Sequence, residues 1–205
     1  MSLQADNPLR HDGARPTPRR LAALHESSHA VYGWRVAIYA DEPGKRFGCA
    51  WIDDNLFGCV SDEQDRDHGP PTTAELLAKV TGDGALGAMH AGQPDYETAI
   101  QRRADMLLAG HVARILATFP NTEGAWAGGA DNDFGRVWAL AQAYYQCGSG
   151  VASAWAEWRM QIVRAAILDP ATGLWAAILA LAEMIDATGS VSFADALPIL
   201  KRIKQ

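Results

Sequence analysis

The sequence predicts a mainly α-helical fold with a small β-sheet or hairpin beside its first helix. That helix is indicated by Thr17-Pro18, an N-cap followed by a first-turn proline, and by the helix-forming segment from Arg19 to Arg35. The sheet is indicated by short apolar runs, separated by turn residues, between positions 36 and 61. From Asp95 onward, apolar residues recur at helical spacing almost to the C-terminus.

Chain length, net charge and the longest apolar run limit the classes of protein that fit this sequence. A chain of 205 residues fits one domain, which we expect to span 17–205 after a flexible arm at 1–16. The formal net charge of −6 argues against a nucleic-acid binder. The longest apolar run, 174–185, contains Glu183 and is shorter than the roughly 20 residues of a membrane helix.

Cysteine usage and the N-terminus bear on the compartment. The three cysteines form no C-x-x-C pair, which favours a reducing, cytoplasmic setting over a disulfide framework. The first residues lack the apolar core of a signal peptide. We therefore expect a cytoplasmic protein with no membrane association.

The predicted sheet begins with a strand at 36–40 and continues as a hairpin of Phe47–Ile52 and Leu56–Val60. The three residues between these two runs, Asp-Asp-Asn at 53–55, are typical of a turn. An edge strand beside the first helix could hold an extended peptide by main-chain hydrogen bonds. Equally, the hairpin could simply cover the helix, and the sequence does not distinguish these roles.

The rest of the chain is predicted to be helical, after a charged loop at 61–71, a helix start at 73–79 and a glycine-rich connector. A loop at 120–130 and the Gly148–Gly150 segment separate the later helices, and Ser192 is expected to cap the last one. Helices after residue 152 form a helical tail at 152–205. The predicted helices are Tyr96–Phe119, Asp131–Cys147, Ala152–Leu168, Leu174–Ala187 and Phe193–Ile203.

His25, Glu26 and His29 form an H-E-x-x-H motif within the first helix. Residues four apart lie on one helical face, so both imidazoles can bind one metal ion. Glu26 is rotated about 100° from His25, so it can lie beside a metal-activated water and act as a general base. Random placement of 6 histidines and 8 glutamates would produce on the order of 0.01 such matches. We therefore predict a zinc site here, with Glu26 as the catalytic base.

A catalytic zinc site normally has three protein ligands and one open position. The extended motif with a third histidine is absent, because Tyr32 and Arg35 stand at its glycine and histidine positions. A distant segment must supply the third ligand, although a carboxylate at a helix start, such as Asp131 or Asp133, ordinarily serves as a cap. Spacing alone leaves six candidates: His111, Glu123, Asp131, Asp133, Glu157 and Glu183.

Three segments resemble the peptidase domain of the FtsH family, which comprises membrane-bound, ATP-driven zinc proteases. They are the HESSHA motif segment, LLAGHVA at Leu107–Ala113, and GADND at 129–133 before a helix. The family counterparts are HEAGHA, an L-x-G-G-R-x-A-E helix, and G-A-x-N-D, whose aspartate is the third zinc ligand. The resemblance assigns that role to Asp133 and leaves Asp131 as a capping residue. It covers roughly residues 18–203 and implies a zinc metalloendopeptidase with the FtsH-peptidase fold.

The chain also departs from the FtsH pattern. Ser28 replaces the glycine of HEAGH, and His111 and Arg114 stand where the family has arginine and glutamate. The segment 71–101 is longer than its counterpart. No G-x-x-x-x-G-K-[ST] sequence occurs, and about 24 residues precede the motif. We therefore expect a stand-alone, FtsH-peptidase-like protein without the ATPase and membrane anchor.

These residues predict a zinc-dependent endopeptidase that cleaves unfolded segments or short peptides. His25, His29 and Asp133 would bind Zn²⁺, with neutral imidazoles, and Glu26 would activate the water. His111 is a candidate oxyanion donor, although a buried core histidine is the commoner role. The intact Glu26 favours an enzyme, because a purely structural site has no use for a base.

Two other interpretations remain open. One is a catalytically silent zinc-binding regulatory or assembly module derived from an FtsH-like peptidase; the other is a helical bundle with a chance motif. The peptidase domains of the family form six-membered rings, so a homo-oligomer is an expectation by analogy. A separate ATPase partner is supported by no motif. The many tryptophans could belong to the core or to an interface.

Overall fold

The computed structural model describes residues 16–42, 45–62, 94–118 and 132–204. Six helices account for 70% of these residues, and three short strands form one antiparallel sheet, which confirms the predicted class of mainly α with a small sheet. The helices are α1 (Pro18–Arg35), α2 (Pro94–Thr118), α3 (Asn132–Tyr145), α4 (Ser149–Leu168), α5 (Leu174–Thr188) and α6 (Phe193–Leu200). The strands are β1 (Phe47–Ile52), β2 (Gly58–Asp62) and β3 (Ser190–Ser192), in the spatial order β2-β1-β3.

Helix α1 lies at the centre of the fold, between α2 and α5, with the sheet against it. It begins as predicted, because the Thr17 hydroxyl accepts a hydrogen bond from the Arg20 backbone N–H at 3.1 Å and Pro18 occupies the first turn. Every residue from Ala23 to Trp34 except His25 is buried. The motif therefore lies inside the core, where its side chains are held by packing on several sides.

The predicted strand at 36–40 is wrong. Helix α1 continues past Gly33 to Arg35, and the chain then reverses through Ala37, which has a left-handed φ of 57°. The backbone N–H groups of Ile38 and Tyr39 both donate to the Gly33 carbonyl, at 2.8 and 3.0 Å. Ile38 and Tyr39 are buried, whereas Ala37 is exposed, and the segment forms a helix-terminating turn rather than a strand. The apolar pattern was therefore correct for the burial of Ile38 and Tyr39 but not for the conformation.

The predicted hairpin is confirmed, with β2 beginning at Gly58 instead of Leu56. Its turn is closed by the Asp53 carboxylate, which accepts hydrogen bonds from the backbone N–H groups of Asn55 and Phe57 at 2.8 and 2.9 Å. Antiparallel pairing places Ala50 opposite Val60 and brings Gly58 to the start of β2. The hairpin thus ends close to the motif helix.

A third strand, β3, was not predicted and interrupts the helical tail. Gly189, with φ 83°, ends α5 in a left-handed conformation, and its carbonyl accepts from the Ile52 N–H at 2.8 Å. Only three residues, Ser-Val-Ser, pair with β1, and Val191 alone among them is buried. The Ser192 side chain then caps α6, as predicted, by accepting from the Asp195 N–H.

Several predicted features lie outside the described residues. They are the N-terminal arm before Pro16, the helix start at 73–79, the loop at 120–130, and two candidate ligands, Glu123 and Asp131. Within the four described ranges, no helix combines the length and apolarity needed to cross a lipid bilayer.

Candidate metal centre

The two motif histidines of α1 point their Nε2 atoms at each other across one helical turn. These atoms are 3.0 Å apart, and the rings meet edge to face with centroids 4.5 Å apart and an interplanar angle of 87°. Both side chains are nearly covered, with exposed fractions of 13% for His25 and 9% for His29. The i, i+4 spacing therefore produces the convergence expected from the sequence.

Asp133, in the first turn of α3, completes the group. Its Oδ2 atom lies 3.1 Å from Nε2 of His25 and 3.1 Å from Nε2 of His29, although more than 100 residues separate it from either in the chain. Its carboxylate therefore faces the histidines instead of only capping its own helix. Among the described residues these three form a group that can hold a metal ion.

The other described candidates do not join this group. His111 is buried on α2, Glu157 is exposed on α4, and Glu183 pairs with Arg20 at 3.6 Å. Asp133 is thus the described candidate that tertiary structure brings to the motif, and its role as a ligand stays a prediction.

The geometry of the three atoms suits a cation better than protons. Each imidazole nitrogen carries either one hydrogen or one lone pair, so with the Asp133 carboxylate ionised no arrangement of protons makes all three contacts favourable. Two N–H groups would repel each other at 3.0 Å, and a bare nitrogen would repel the carboxylate oxygen at 3.1 Å. Bonds of about 2.0–2.1 Å at tetrahedral angles would place ligand atoms about 3.3 Å apart. The observed spacing of 3.0–3.1 Å is close to that value.

Met106 on α2 fixes the orientation of His29. Nδ1 of His29 donates to the Met106 carbonyl at 2.8 Å, which leaves Nε2 as the nitrogen that faces Asp133 and His25. Such an outer hydrogen bond orients a metal-binding imidazole and raises its basicity. Nδ1 of His25 has no hydrogen-bond partner among the described residues, so packing holds that ring.

The charges and hydrogen bonds around His29 and Asp133 favour a positive charge between the two histidines and Asp133. Burial lowers the pKa of His29, but the hydrogen bond and charge of Asp133, the Glu26 charge and the Met106 carbonyl together raise it to about 9. Burial raises the pKa of Asp133, but hydrogen bonds from His25 and His29 outweigh burial and hold it well below its usual range. A cation at this point would compete with the His29 proton for the same nitrogen.

Two glycines on neighbouring elements leave room for the motif side chains. A Cβ on Gly110 of α2 would lie 2.7 Å from Cε1 and Nδ1 of His25 and 2.8 Å from Cε1 of His29. A Cβ on Gly58 of β2 would lie 2.5 Å from Cγ and 2.7 Å from Oε1 of Glu26. Both contacts are shorter than real Cβ atoms allow, so these positions accept glycine alone without movement.

Glu26 is buried beside the histidines, with 7% of its surface exposed, and lies against the first residue of β2. The helix rotates its carboxylate away from the triad of ligand atoms, because it is adjacent to His25 in sequence. The arrangement therefore separates a group that can hold a cation from a neighbouring group that can move a proton.

Arg136 was missed by the sequence reasoning, together with Met106 and the two glycines. Its guanidinium donates from Nη1 to Oδ1 of Asp133 at 3.2 Å, so Oδ2 alone faces the histidines. The i, i+3 spacing from Asp133 to Arg136 on a helix could have indicated this pair. No local pattern identifies Met106 as the partner of His29, because the contact uses its main-chain carbonyl, which every residue has.

Comparison with known proteins adds no relative. No family description matches the chain, and no curated protein matches it. The resemblance to FtsH peptidases therefore stays a prediction from three short sequence segments.

Proposed function

We propose that this protein is a zinc-dependent endopeptidase of the FtsH-peptidase type that cleaves unfolded segments or short peptides. One observation carries the proposal: His25, His29 and Asp133 converge on one point while Glu26 is buried beside them on the same helix. Two imidazoles and one carboxylate are a donor set typical of catalytic zinc, with a fourth position left for water or substrate.

His25 and His29 would hold the ion through Nε2, and Asp133 would hold it through Oδ2. A bound zinc ion supplies Lewis-acid chemistry, polarising the scissile carbonyl and lowering the pKa of water at the open position. Glu26 accepts the proton of the attacking water and delivers it to the leaving amine as the peptide bond breaks. Met106 and Arg136 keep the ligand atoms oriented while this proton moves.

Strand β2 offers a way to position an extended peptide. Within the described residues β2 pairs with β1 on one side and has no strand on its other edge. Its first residue, Gly58, touches Glu26. A peptide added beside β2 by main-chain hydrogen bonds would run past Glu26, the proposed base. Unfolded segments, which have unpaired backbone groups, are the substrates that this mode of binding selects.

The cellular setting follows as part of the same proposal. Cys49 and Cys147 are free thiols, which suits the reducing cytoplasm. A stably folded substrate would have to be unfolded by a separate ATP-driven partner. A marginally stable substrate could unfold without one.

The test measures metal content of the purified protein together with cleavage of unfolded casein, with and without a chelator. We expect one zinc per chain and cleavage that the chelator abolishes and added zinc restores. The Glu26→Gln variant should retain the zinc and lose cleavage by at least about 100-fold, since general-base catalysis contributes about 10²–10⁴-fold. Stoichiometric zinc without cleavage would instead support the silent regulatory module, and absence of zinc after reconstitution would refute the site.

A further inference from the structure

Helix α4 carries an apolar stripe on the side that faces solvent. Its buried face is formed by Ala152, Ala156, Arg159, Met160, Val163 and Ile167. On the opposite side every residue is exposed, including three large apolar side chains: Val151 (61% exposed), Trp158 (55%) and Leu168 (43%). We call this exposed set the α4 stripe; its six members are Val151, Ala154, Trp158, Gln161, Ala165 and Leu168.

The α4 stripe has the spacing of a coiled-coil surface. Its members alternate at intervals of three and four residues over 18 residues, about two and a half heptads, and five of the six are apolar. Isolated exposed apolar residues are ordinary on protein surfaces, but a contiguous stripe at heptad spacing indicates contact with another helix. Within the described part of the chain, no helix occupies that face.

The stripe complements itself in an antiparallel arrangement. With two copies of α4 related by a two-fold axis near its centre, Val151 would face Leu168 of the other copy, Ala154 would face Ala165, and Trp158 would face Gln161. Trp158 then meets the smaller, polar Gln161, and the two alanines allow close approach of the backbones.

Charges beside the stripe fit the same arrangement. Glu157 and Arg164 occupy equivalent flanking positions one heptad apart, so each would lie beside the opposite charge of the other copy. Within the described residues neither forms an ion pair, and Nε of Arg164 has no hydrogen-bond partner. In a parallel arrangement Glu157 would instead face Ile162, on the other flank of the second helix, and the pairing of Glu157 with Arg164 would be lost. The charge pattern therefore favours a second copy in the antiparallel direction.

We propose that the protein forms a two-fold symmetric homodimer through antiparallel packing of the α4 stripe on that of a second copy. A 20-residue helix is about 30 Å long and about 10 Å wide, a footprint of about 300 Å². That is less than the roughly 800 Å² per partner of a standard stable interface. We therefore expect a weak, reversible dimer.

The test is sedimentation equilibrium of the full chain between about 1 µM and 500 µM, a range wide enough to detect a weak dimer. The average mass should rise from the 22.1 kDa of one chain toward twice that value. Trp158→Glu should remain monomeric throughout. Phe57→Glu, at an apolar residue of the hairpin that is 72% exposed, is the matched control and should dimerise like the wild type.

A charge exchange tests the direction of packing. Glu157→Arg should weaken dimerisation at least about 10-fold, because it places two arginines together at each flank, and Glu157→Arg with Arg164→Glu should restore it to within about 3-fold. Circular dichroism melts verify that each variant folds. A wild-type mass constant at one chain, or dimerisation unaffected by Trp158→Glu, would overturn the proposal, as would failure of the exchange to restore binding. The chelator should change none of these masses, so the outcome is independent of the metal site.

Discussion

At the scale of single residues, two glycines on neighbouring elements leave the room that the motif side chains occupy. Gly110 lies against both imidazoles and Gly58 lies against Glu26, each at a distance that excludes a Cβ. Gly110 therefore leaves room for the two imidazoles that we propose as metal ligands, and Gly58 leaves room for the carboxylate that we propose as the base.

Substitution of these glycines should separate binding from catalysis. Gly110→Ala should weaken zinc binding at least about 10-fold by displacing the rings. The cost of overpacking, about 1–3 kcal/mol, is partly offset by the gain of about 1 kcal/mol in helix propensity, so the fold should survive. Gly58→Ala should retain zinc and lower kcat, because its Cβ would displace the carboxylate of Glu26.

Gly135→Ala is the matched control for both glycine variants. It lies on α3 two residues after Asp133, and a Cβ there would meet no atom within 4 Å. Zinc affinity, from competition with a chromogenic chelator, and kcat should both stay unchanged. Equal zinc affinity in Gly110→Ala and Gly135→Ala would contradict the proposed role of Gly110.

Asp133 and its neighbour Arg136 should differ in their effects on metal affinity. Asp133→Asn removes the charge that faces the histidines and should weaken zinc by more than about 100-fold, whereas Arg136→Ala removes one outer hydrogen bond and should weaken it about 10-fold. The absorption spectrum of the cobalt-substituted protein reports the ligand set directly. A spectrum unchanged in Asp133→Asn would remove Asp133 from it.

At the scale of elements, α2 is the support for the site, and a buried ion pair joins it to α4. Arg159 of α4 donates to both carboxylate oxygens of Asp105 on α2, at 2.8 and 2.5 Å, and both side chains are buried. Burial and the charge of Asp105 raise the pKa of Tyr32 on α1, which places that phenol near the pair. Asp105 directly precedes Met106, whose carbonyl orients His29. The pair thus lies where three helices meet behind the histidines.

Loss of one partner of this pair should be more damaging than loss of both. Arg159→Met leaves the Asp105 carboxylate buried without a partner and should lower the free energy of unfolding by about 3–5 kcal/mol. Asp105→Leu combined with Arg159→Met removes both charges and should recover most of that loss. Urea denaturation of the three proteins measures the difference. Similar stabilities for the single and double variants would refute this account of the pair.

At the scale of the whole molecule, a bound ion would tie α1 to α3 across the chain. A ligand that binds only the folded state stabilises it by about 4 kcal/mol when its concentration is 1,000 times Kd. For a chain of this size that corresponds to an increase in Tm of about 10 °C. Zinc should therefore raise the Tm of the metal-free protein by about this amount, as measured by calorimetry. An equal increase in Asp133→Asn would show that the ion binds elsewhere.

Chain-local features were predictable from the sequence because local interactions create them. The motif spacing places His25, Glu26 and His29, the caps at Thr17 and Ser192 begin two helices, and turn residues mark the hairpin. Each depends on hydrogen bonds or periodicity within a few residues. The same local reasoning failed at 36–40, where buried apolar residues form a turn because Tyr39 packs against Gly33.

Contacts between distant segments were decided by the tertiary structure. Spacing left six candidates for the third ligand, and only the packing of α3 beside α1 brings Oδ2 of Asp133 within 3.1 Å of both histidines. Strand β3 is too short to carry a pattern and exists because β1 offers it an edge. The carbonyl of Met106 and the glycines Gly58 and Gly110 contact the motif side chains only because α2 and β2 pack closely against α1. The sequence by itself determined which side chains can do the chemistry, whereas the fold decided which of them meet, because their meeting depends on packing across the whole chain.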